Sequence, residues 1–426
     1  MTEELAGNPY RTDGSEAPSV RAGRFTTCDV LVVGAGIVGL TIAREIRLRW
    51  PNRSVTVLEK ETDVAQHASG RNSGVLHAGF YYEPGSLKAK LTNLGNHQMH
   101  QFCDERGIKV NRCGKLVVTT SRDQLPTLEK LYQHGTANDV PLQIVTESEV
   151  HDIEPRVHTL EKAIYSPNTS SVDPVLVTRK MAEECETLGV SLLTGEAFVS
   201  GEEQQKSVKI ATTRRVINAG ILINAAGLYA DRIAHVFGVG KNLQLQPFKG
   251  LYLNANETFG PLHTHVYPVP DLRNPFLGVH FTLTVDGHVK IGPTATPALW
   301  REQYSWRDRF ALSEFAETTS TLFEIMAKPS STIRKSAISE IMKYSKTLLV
   351  KQAARLVPGI TVQQFQRWGR PGIRAQLVER STKRLVNDFT IEKTRHTIHV
   401  LNAVSPAFTS SLPFASLIAD ELDRPS

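Results

Sequence analysis

The stretch DVLVVGAGIVGL, residues 29–40, constrains the fold of this chain more than any other feature. A short apolar strand, Asp29 to Val33, runs into three glycines, Gly34, Gly36 and Gly39, and a helical pattern comes next with Val38, Ile42, Ile46 and Trp50 spaced by four. After Pro51, Asn52 and Arg53 stands a second strand, SVTVLEK, ending at Glu59 and Lys60. This is a βαβ unit in which the first glycine makes the tight turn, the second admits a pyrophosphate, and the third lets helix pack on strand. The backbone at Gly34, Gly36, Ile37, Val38 and Gly39 would offer N–H groups and the positive end of the helix dipole to phosphates. Glu59 is placed to bind a ribose hydroxyl pair, and its charge disfavours a 2′-phosphate. The expected ligand is therefore the adenosine of FAD or NAD.

The segment beyond the second strand favours FAD. An NAD dehydrogenase would lead into another crossover helix, whereas residues 61–82 read ETDVAQHASGRNSGVLHAGFYY, polar and punctuated by glycine. FAD must also be held beyond its nucleotide half. Arg71, Asn72 and Ser73 supply donors for that, and Gly74 permits close backbone approach. A second pointer is GILINAAGLYADRI, residues 220–233, where small residues including Ala226 and Gly227 close an apolar strand at the carboxyl end of which ligands bind.

These segments and their order resemble the D-amino-acid oxidase superfamily. Within it the chain is similar to the L-2-hydroxyglutarate dehydrogenase/oxidase family over residues 27 to 423. The matching stretches are NSGVLHAGFYYEPGSLKAKL (72–91), CGKLVV (113–118), AGLYADRI (226–233), YPVPD with PFLGVHFT (267–282), IRAQ (373–376) and SPAFTSS (405–411). The resemblance implies an α/β fold: a Rossmann-like FAD-binding domain of the glutathione reductase/D-amino-acid oxidase type, with an antiparallel-sheet α+β substrate domain. The expected division is a disordered tail at 1–26, FAD-binding segments at 27–100, 151–240 and 366–426, and substrate-domain segments at 101–150 and 241–365. The strands VSLLTG, SVKIAT and RRVINAG read as a β-meander, residues 305 to 365 as helical, and HTIHVLN (396–402) as a strand returning to the first domain. The loop of Ser405, Pro406, Ala407 and Thr409 would line the flavin ring, with the N–H groups of its non-proline residues facing it.

Oxidising a 2-hydroxy acid requires a carboxylate clamp, a base for the hydroxyl and exclusion of water. His77 is the first candidate base, an imidazole being suited to taking a proton near neutrality; a buried structural histidine is the competing reading. His280, alternating with apolar residues on a strand, could reach the same cavity. Arg374 is the candidate clamp, since a planar guanidinium binds a carboxylate bidentately. Tyr81 and Trp300 are expected substrate contacts, with Lys249, Tyr267 and Arg273 as further candidates. Several residues depart from the family pattern: Arg71, Leu251, Thr294, Trp300 and Phe408. Trp300 in place of a lysine, and the added Phe408, would weaken recognition of a second carboxylate.

Composition limits the remaining classes. The net charge of +6 comes without a lysine/arginine block that could track a nucleic-acid backbone, so no nucleic-acid partner is expected and an anionic substrate suits the chain. Cys28, Cys103, Cys113 and Cys185 lack metal-binding spacing, so no metal is expected and a reducing compartment fits. The polar N-terminal stretch lacks an apolar signal core, and no apolar run approaches the ~18 residues that span a bilayer. A cytoplasmic location is the expectation, with peripheral membrane contact left open and no indication of oligomeric state. The leading expectation for activity is oxidation of an L-2-hydroxy acid carboxylate, with oxygen or a quinone as electron acceptor. The alternatives are an amine, amino-acid or secondary-metabolite oxidase acting on a bulkier substrate, or a flavin-binding subunit without turnover.

Overall fold

The computed structural model describes residues 25–271, 278–306, 308–327 and 344–423. Strand β1 (Phe25–Val33), helix α1 (Ile37–Arg49) and strand β2 (Val55–Leu58) form the expected βαβ unit, with β1 and β2 parallel. The sheet extends through Val216–Asn224 and Thr397–Val400 on one side of β1 and through Ser191–Leu193 beyond β2, all in parallel. Successive residues of β1 serve opposite faces, as the two-residue period of a strand requires. Val30 and Val32 join a core with Leu40, Ile42 and Ile46 of α1, Met181 of helix Pro174–Thr187 and Phe414 of helix Ser411–Asp423. Leu31 and Val33 join Phe198, Ile210 and Leu222 on the other face. Both faces are thus covered, which accounts for the continuous apolar run in β1.

The meander differs from the sequence expectation. VSLLTG does not enter it but supplies the outer parallel strand Ser191–Leu193. The antiparallel run is Phe198–Glu203, Val208–Thr212 and Val216–Asn224. The first of these strands exposes alternate polar residues and so carries a weak signal. VINAG of the stretch RRVINAG and GILIN form one continuous strand of nine residues, Val216–Asn224.

A second sheet runs in the order Arg367–Trp368, Leu253–Asn254, Val289–Gly292, His280–Leu283, His265–Pro268, Lys115–Val118, Lys162–Ser166, Gln143–Thr146. It is antiparallel except where His265–Pro268 runs parallel to Lys115–Val118. A three-stranded antiparallel sheet pairs Leu243–Gly250 with Gly372–Glu379 and Thr296–Pro297. Membership of these sheets departs from the expected segment limits. Lys162–Ser166, inside 151–240, hydrogen-bonds to Lys115–Val118, and Gly372–Glu379, inside 366–426, hydrogen-bonds to Leu243–Gly250. Strand pairing across long sequence separations decides this, and it leaves no local mark in composition.

Helices Leu312–Ala327 and Lys346–Ala353 lie within the stretch expected to be helical. The expected tail at 1–26 lies outside the described residues apart from Phe25 and Thr26, which belong to β1. Among the described residues no helix is long and apolar enough to cross a membrane.

Candidate active site

A cavity of about 350 Å³ runs from the β1–α1 turn, past residues 67–77, to the faces of His280, Tyr267 and Arg374. Its nucleotide end is set by backbone. Gly34 has φ +106°, and a Cβ there would stand 2.5 Å from the Ala225 carbonyl oxygen. A Cβ on Gly39 would stand 1.9 Å from the Gly34 oxygen, so neither position accepts another residue without displacing main chain. Gly36 is the N-cap of α1. The Glu59 carboxylate is fixed at the end of β2: the Ala35 N–H donates to Oε2 (2.8 Å) and the Glu61 N–H to Oε1 (3.0 Å). The result is a glycine-lined groove at a helix N-terminus beside a fixed acid, and it fits the adenosine and pyrophosphate of FAD.

The loop opened by Arg71 and Asn72 spends its side chains largely on itself. Arg71 Nε donates to the Gln66 carbonyl (2.7 Å) while its guanidinium lies 4.2 Å from the Tyr304 ring centre. Asn72 Nδ2 donates to Ala68 and Ser69 carbonyls, and its Oδ1 accepts from the Gly74 N–H (2.8 Å). Gly74, at φ +78°, lies where a Cβ would meet the Val172 oxygen at 2.5 Å. Arg71, Asn72 and Ser73 still line the cavity, as do Lys60, Ala226, Gly227, Ser405, Pro406, Ala407, Phe408 and Thr409. The C-terminal loop is locked against the histidine loop, because the His77 N–H donates to Thr409 Oγ1 (3.1 Å).

At the far end His77, His280, Tyr267 and Arg374 converge from four separate segments. His280 Nδ1 lies 2.8 Å from the Gly278 carbonyl, which can only accept; Nδ1 therefore carries the proton and Nε2 is the basic nitrogen. Its ring stacks on Tyr267, with centroids 3.7 Å apart and planes 17° apart. Burial pushes the His77 imidazole down to about 3, with the positive charges of Lys115, His280 and Arg374 adding to the effect. Tyr82 and Tyr252 face Arg374, whose guanidinium is lowered by burial yet remains a cation at any working pH.

Three expected substrate contacts stand elsewhere. Tyr81, Lys249 and Trp300 are not among the residues lining the cavity. Trp300 is 3% exposed, donates from Nε1 to the Asp308 carbonyl (2.7 Å) and packs edge-on to Phe310. Lys249 lies in strand Leu243–Gly250, and its carbonyl accepts from Thr294 and Thr296 hydroxyls. Of the departures from the family pattern, Arg71, Thr294 and Phe408 line the cavity, whereas Leu251 and Trp300 do not. Arg273 lies outside the described residues.

The stretch REQY after Trp300 has a different use, which the sequence does not announce. Arg301 is fully buried and pairs with both Asp231 oxygens (2.6 and 2.9 Å). Glu302 takes a salt bridge from Lys60 (2.6 Å), and the Tyr304 hydroxyl meets His67 Nδ1 (2.9 Å). Glu61, His67 and Glu302 bring ligand atoms within 4.8 Å of one another, a spacing that would suit a metal ion. Lys60 and Arg309, however, already contact both carboxylates, so their charge is neutralised by side chains.

The model of the family described as FAD dependent oxidoreductase matches residues 29–421. An L-2-hydroxyglutarate dehydrogenase of Indibacter alkaliphilus is 38% identical over 395 residues, 92% of this chain and 98% of that protein. The mitochondrial L-2-hydroxyglutarate dehydrogenase of Homo sapiens is 36% identical over 427 residues, 95% of this chain and 90% of that protein. Among solved structures, FAD-bound L-alpha-glycerophosphate oxidase from Mycoplasma pneumoniae superposes with a TM-score of 0.75 at 23% identity, covering 94% of this chain and 95% of that one. Glycine oxidase from Geobacillus kaustophilus superposes with a TM-score of 0.69 at 19% identity, covering 94% and 96%. These two share the fold.

Proposed function

Because this chain belongs to the FAD-dependent oxidoreductase family, on the branch of the L-2-hydroxyglutarate dehydrogenases, we propose that it oxidises an L-2-hydroxy acid, 2-hydroxyglutarate foremost, to the 2-oxo acid. The observation that carries this reading is a fixed cation, Arg374, in one cavity with two imidazoles, His77 and His280, at the end opposite the nucleotide turn. Bound FAD supplies the acceptor for the hydride leaving the substrate Cα.

The protein's own part is positioning and proton transfer. Arg374 holds the α-carboxylate and so fixes the direction of the Cα–H bond. His77 takes the hydroxyl proton, and the basic Nε2 of His280 is a second acceptor. An imidazole held this far down is a weak base toward water, but an arriving anionic substrate favours its protonated form and strengthens it. Gly34, Gly36, Gly39, Glu59 and the loops at 71–74 and 405–409 hold the cofactor. The final electron acceptor would be oxygen or a quinone. The placement of Trp300 away from the cavity removes half of the reason for a bulkier substrate, leaving Phe408 alone to support it.

The test is anaerobic mixing of the holoenzyme with a panel of 2-hydroxy and 2-amino acids, read as flavin absorbance. Bleaching fastest with L-2-hydroxyglutarate supports the reading. Bleaching by amino acids only would replace it with the amine-oxidase reading, and bleaching by none with the non-catalytic one.

A further inference from the structure

Lys115 opens strand Lys115–Val118 with its side chain 0% exposed and its Nζ without a hydrogen-bond partner among the described residues. A buried ammonium left in that condition is costly. The contrast with Arg301 is sharp: that side chain is equally buried and is answered by the Asp231 carboxylate. Around the Lys115 Nζ stand aromatic rings instead, with centres at 4.8 Å for Phe80, 4.7 Å for Tyr81 and 4.8 Å for Tyr267. Ring faces attract a desolvated cation and take the place of water. Tyr267 is shared, since it also stacks on His280 and lines the cavity, while Lys115 does not reach the lining.

We propose that Lys115 is a positioning residue for the oxidation: caged by Phe80, Tyr81 and Tyr267, its ammonium steadies the Tyr267–His280 stack from behind the cavity wall and adds its positive charge to the field in which His77 works. The second half of this statement rests on His77 being the base. The groups facing this cluster are Cys113, two residues before the strand, His77 and Tyr81 from the 75–82 segment, His265 and Tyr267, His280, with Arg374 toward His77 and Lys290 toward His265. None of these is a carboxylate, so none offsets the repulsion. Burial lowers Lys115 itself to about 7. Its charge is therefore present on the acid side of neutrality, where protonation of His77 would halt the reaction, and fades above it.

The experiment measures the rate of flavin reduction against pH in anaerobic single turnovers of Lys115→Met and Lys115→Arg holoenzymes. A base loses activity as pH falls through its pKa, so removing a nearby positive charge should move the acid limb up by about one pH unit in Lys115→Met. Lys115→Arg, which keeps the charge, should leave the limb in place. In parallel, histidine Cε1-labelled holoenzyme in complex with oxalate is titrated by NMR, and His77 should show the same upward displacement without any turnover. If Lys115→Met does not fold, Lys115→Gln serves in its place. An unmoved His77 titration in the neutral variant, or an equal displacement in Lys115→Arg, overturns the proposal. A displaced titration with an unmoved acid limb would keep the charge effect and reject His77 as base, which separates this inference from the functional reading it rests on.

Discussion

The two ends of the cavity are built on opposite principles. At the nucleotide end the contacts are local in sequence and made by backbone: Gly34, Gly36 and Gly39 leave room, and Glu59 is tied to Ala35 and Glu61. The carboxylates in the lining, Glu59, Glu196 and Glu302, all belong to this end, where Glu196 donates its N–H to the Glu59 carbonyl and Glu302 pairs with Lys60. At the substrate end the chemistry is carried by side chains from distant segments, and the charged groups are cationic: Arg374, with Lys115 behind the wall. The difference teaches that the nucleotide turn is set by one local motif, whereas the opposite end of the cavity is a property of the assembled fold.

The largest expected effect comes from attacking the local end. Gly39→Val cannot be accommodated beside the Gly34 oxygen, and Glu59→Lys replaces the acceptor for the Ala35 N–H with a cation beside the phosphate site. Both variants should lose FAD, measured as the flavin-to-protein absorbance ratio; full occupancy in Glu59→Lys would show that the turn is not the nucleotide site. His77→Ala should keep flavin and substrate affinity while slowing flavin reduction by about 10² to 10⁴, the range of a general base. A rate within a few-fold of the parent would move the role to His280. Arg374→Lys should weaken substrate binding by about 2 kcal/mol, roughly 30-fold, through loss of the bidentate fork, with FAD content unchanged. Trp300→Phe should have the smallest effect on specificity, leaving the preference for 2-hydroxyglutarate over monocarboxylic 2-hydroxy acids where it was. A large change in that ratio would place Trp300 back at the substrate.

Legibility in the sequence divides along the same line. The βαβ unit, the fingerprint glycines and Glu59 are readable because each is dictated by its neighbours in the chain. His77, His280 and Arg374 stand out as residue types on otherwise apolar or glycine-rich strands, but their convergence depends on pairing between strands more than a hundred residues apart, which no local pattern records. Trp300 misleads for the same reason. A tryptophan at a position where the resemblance led us to expect a lysine suggests an altered pocket, yet its ring packs on Phe310 while the neighbouring residues Arg301, Glu302 and Tyr304 brace the nucleotide side. Lys115 is legible only as part of CGKLVV. A lysine heading an apolar strand normally lies at a solvated edge, and only the three rings around its Nζ show otherwise.

On the proposed function, the two ends of the cavity serve one substrate bond, the Cα–H of an L-2-hydroxy acid presented to FAD. The most direct measurement is rapid anaerobic mixing of the holoenzyme with L-2-hydroxyglutarate carrying hydrogen or deuterium at C2, with flavin bleaching and product monitored together. Slower bleaching with the deuterated acid and one 2-oxoglutarate formed per flavin reduced are the expected results. A flavin that stays oxidised in the presence of this and every other 2-hydroxy acid tried would contradict it.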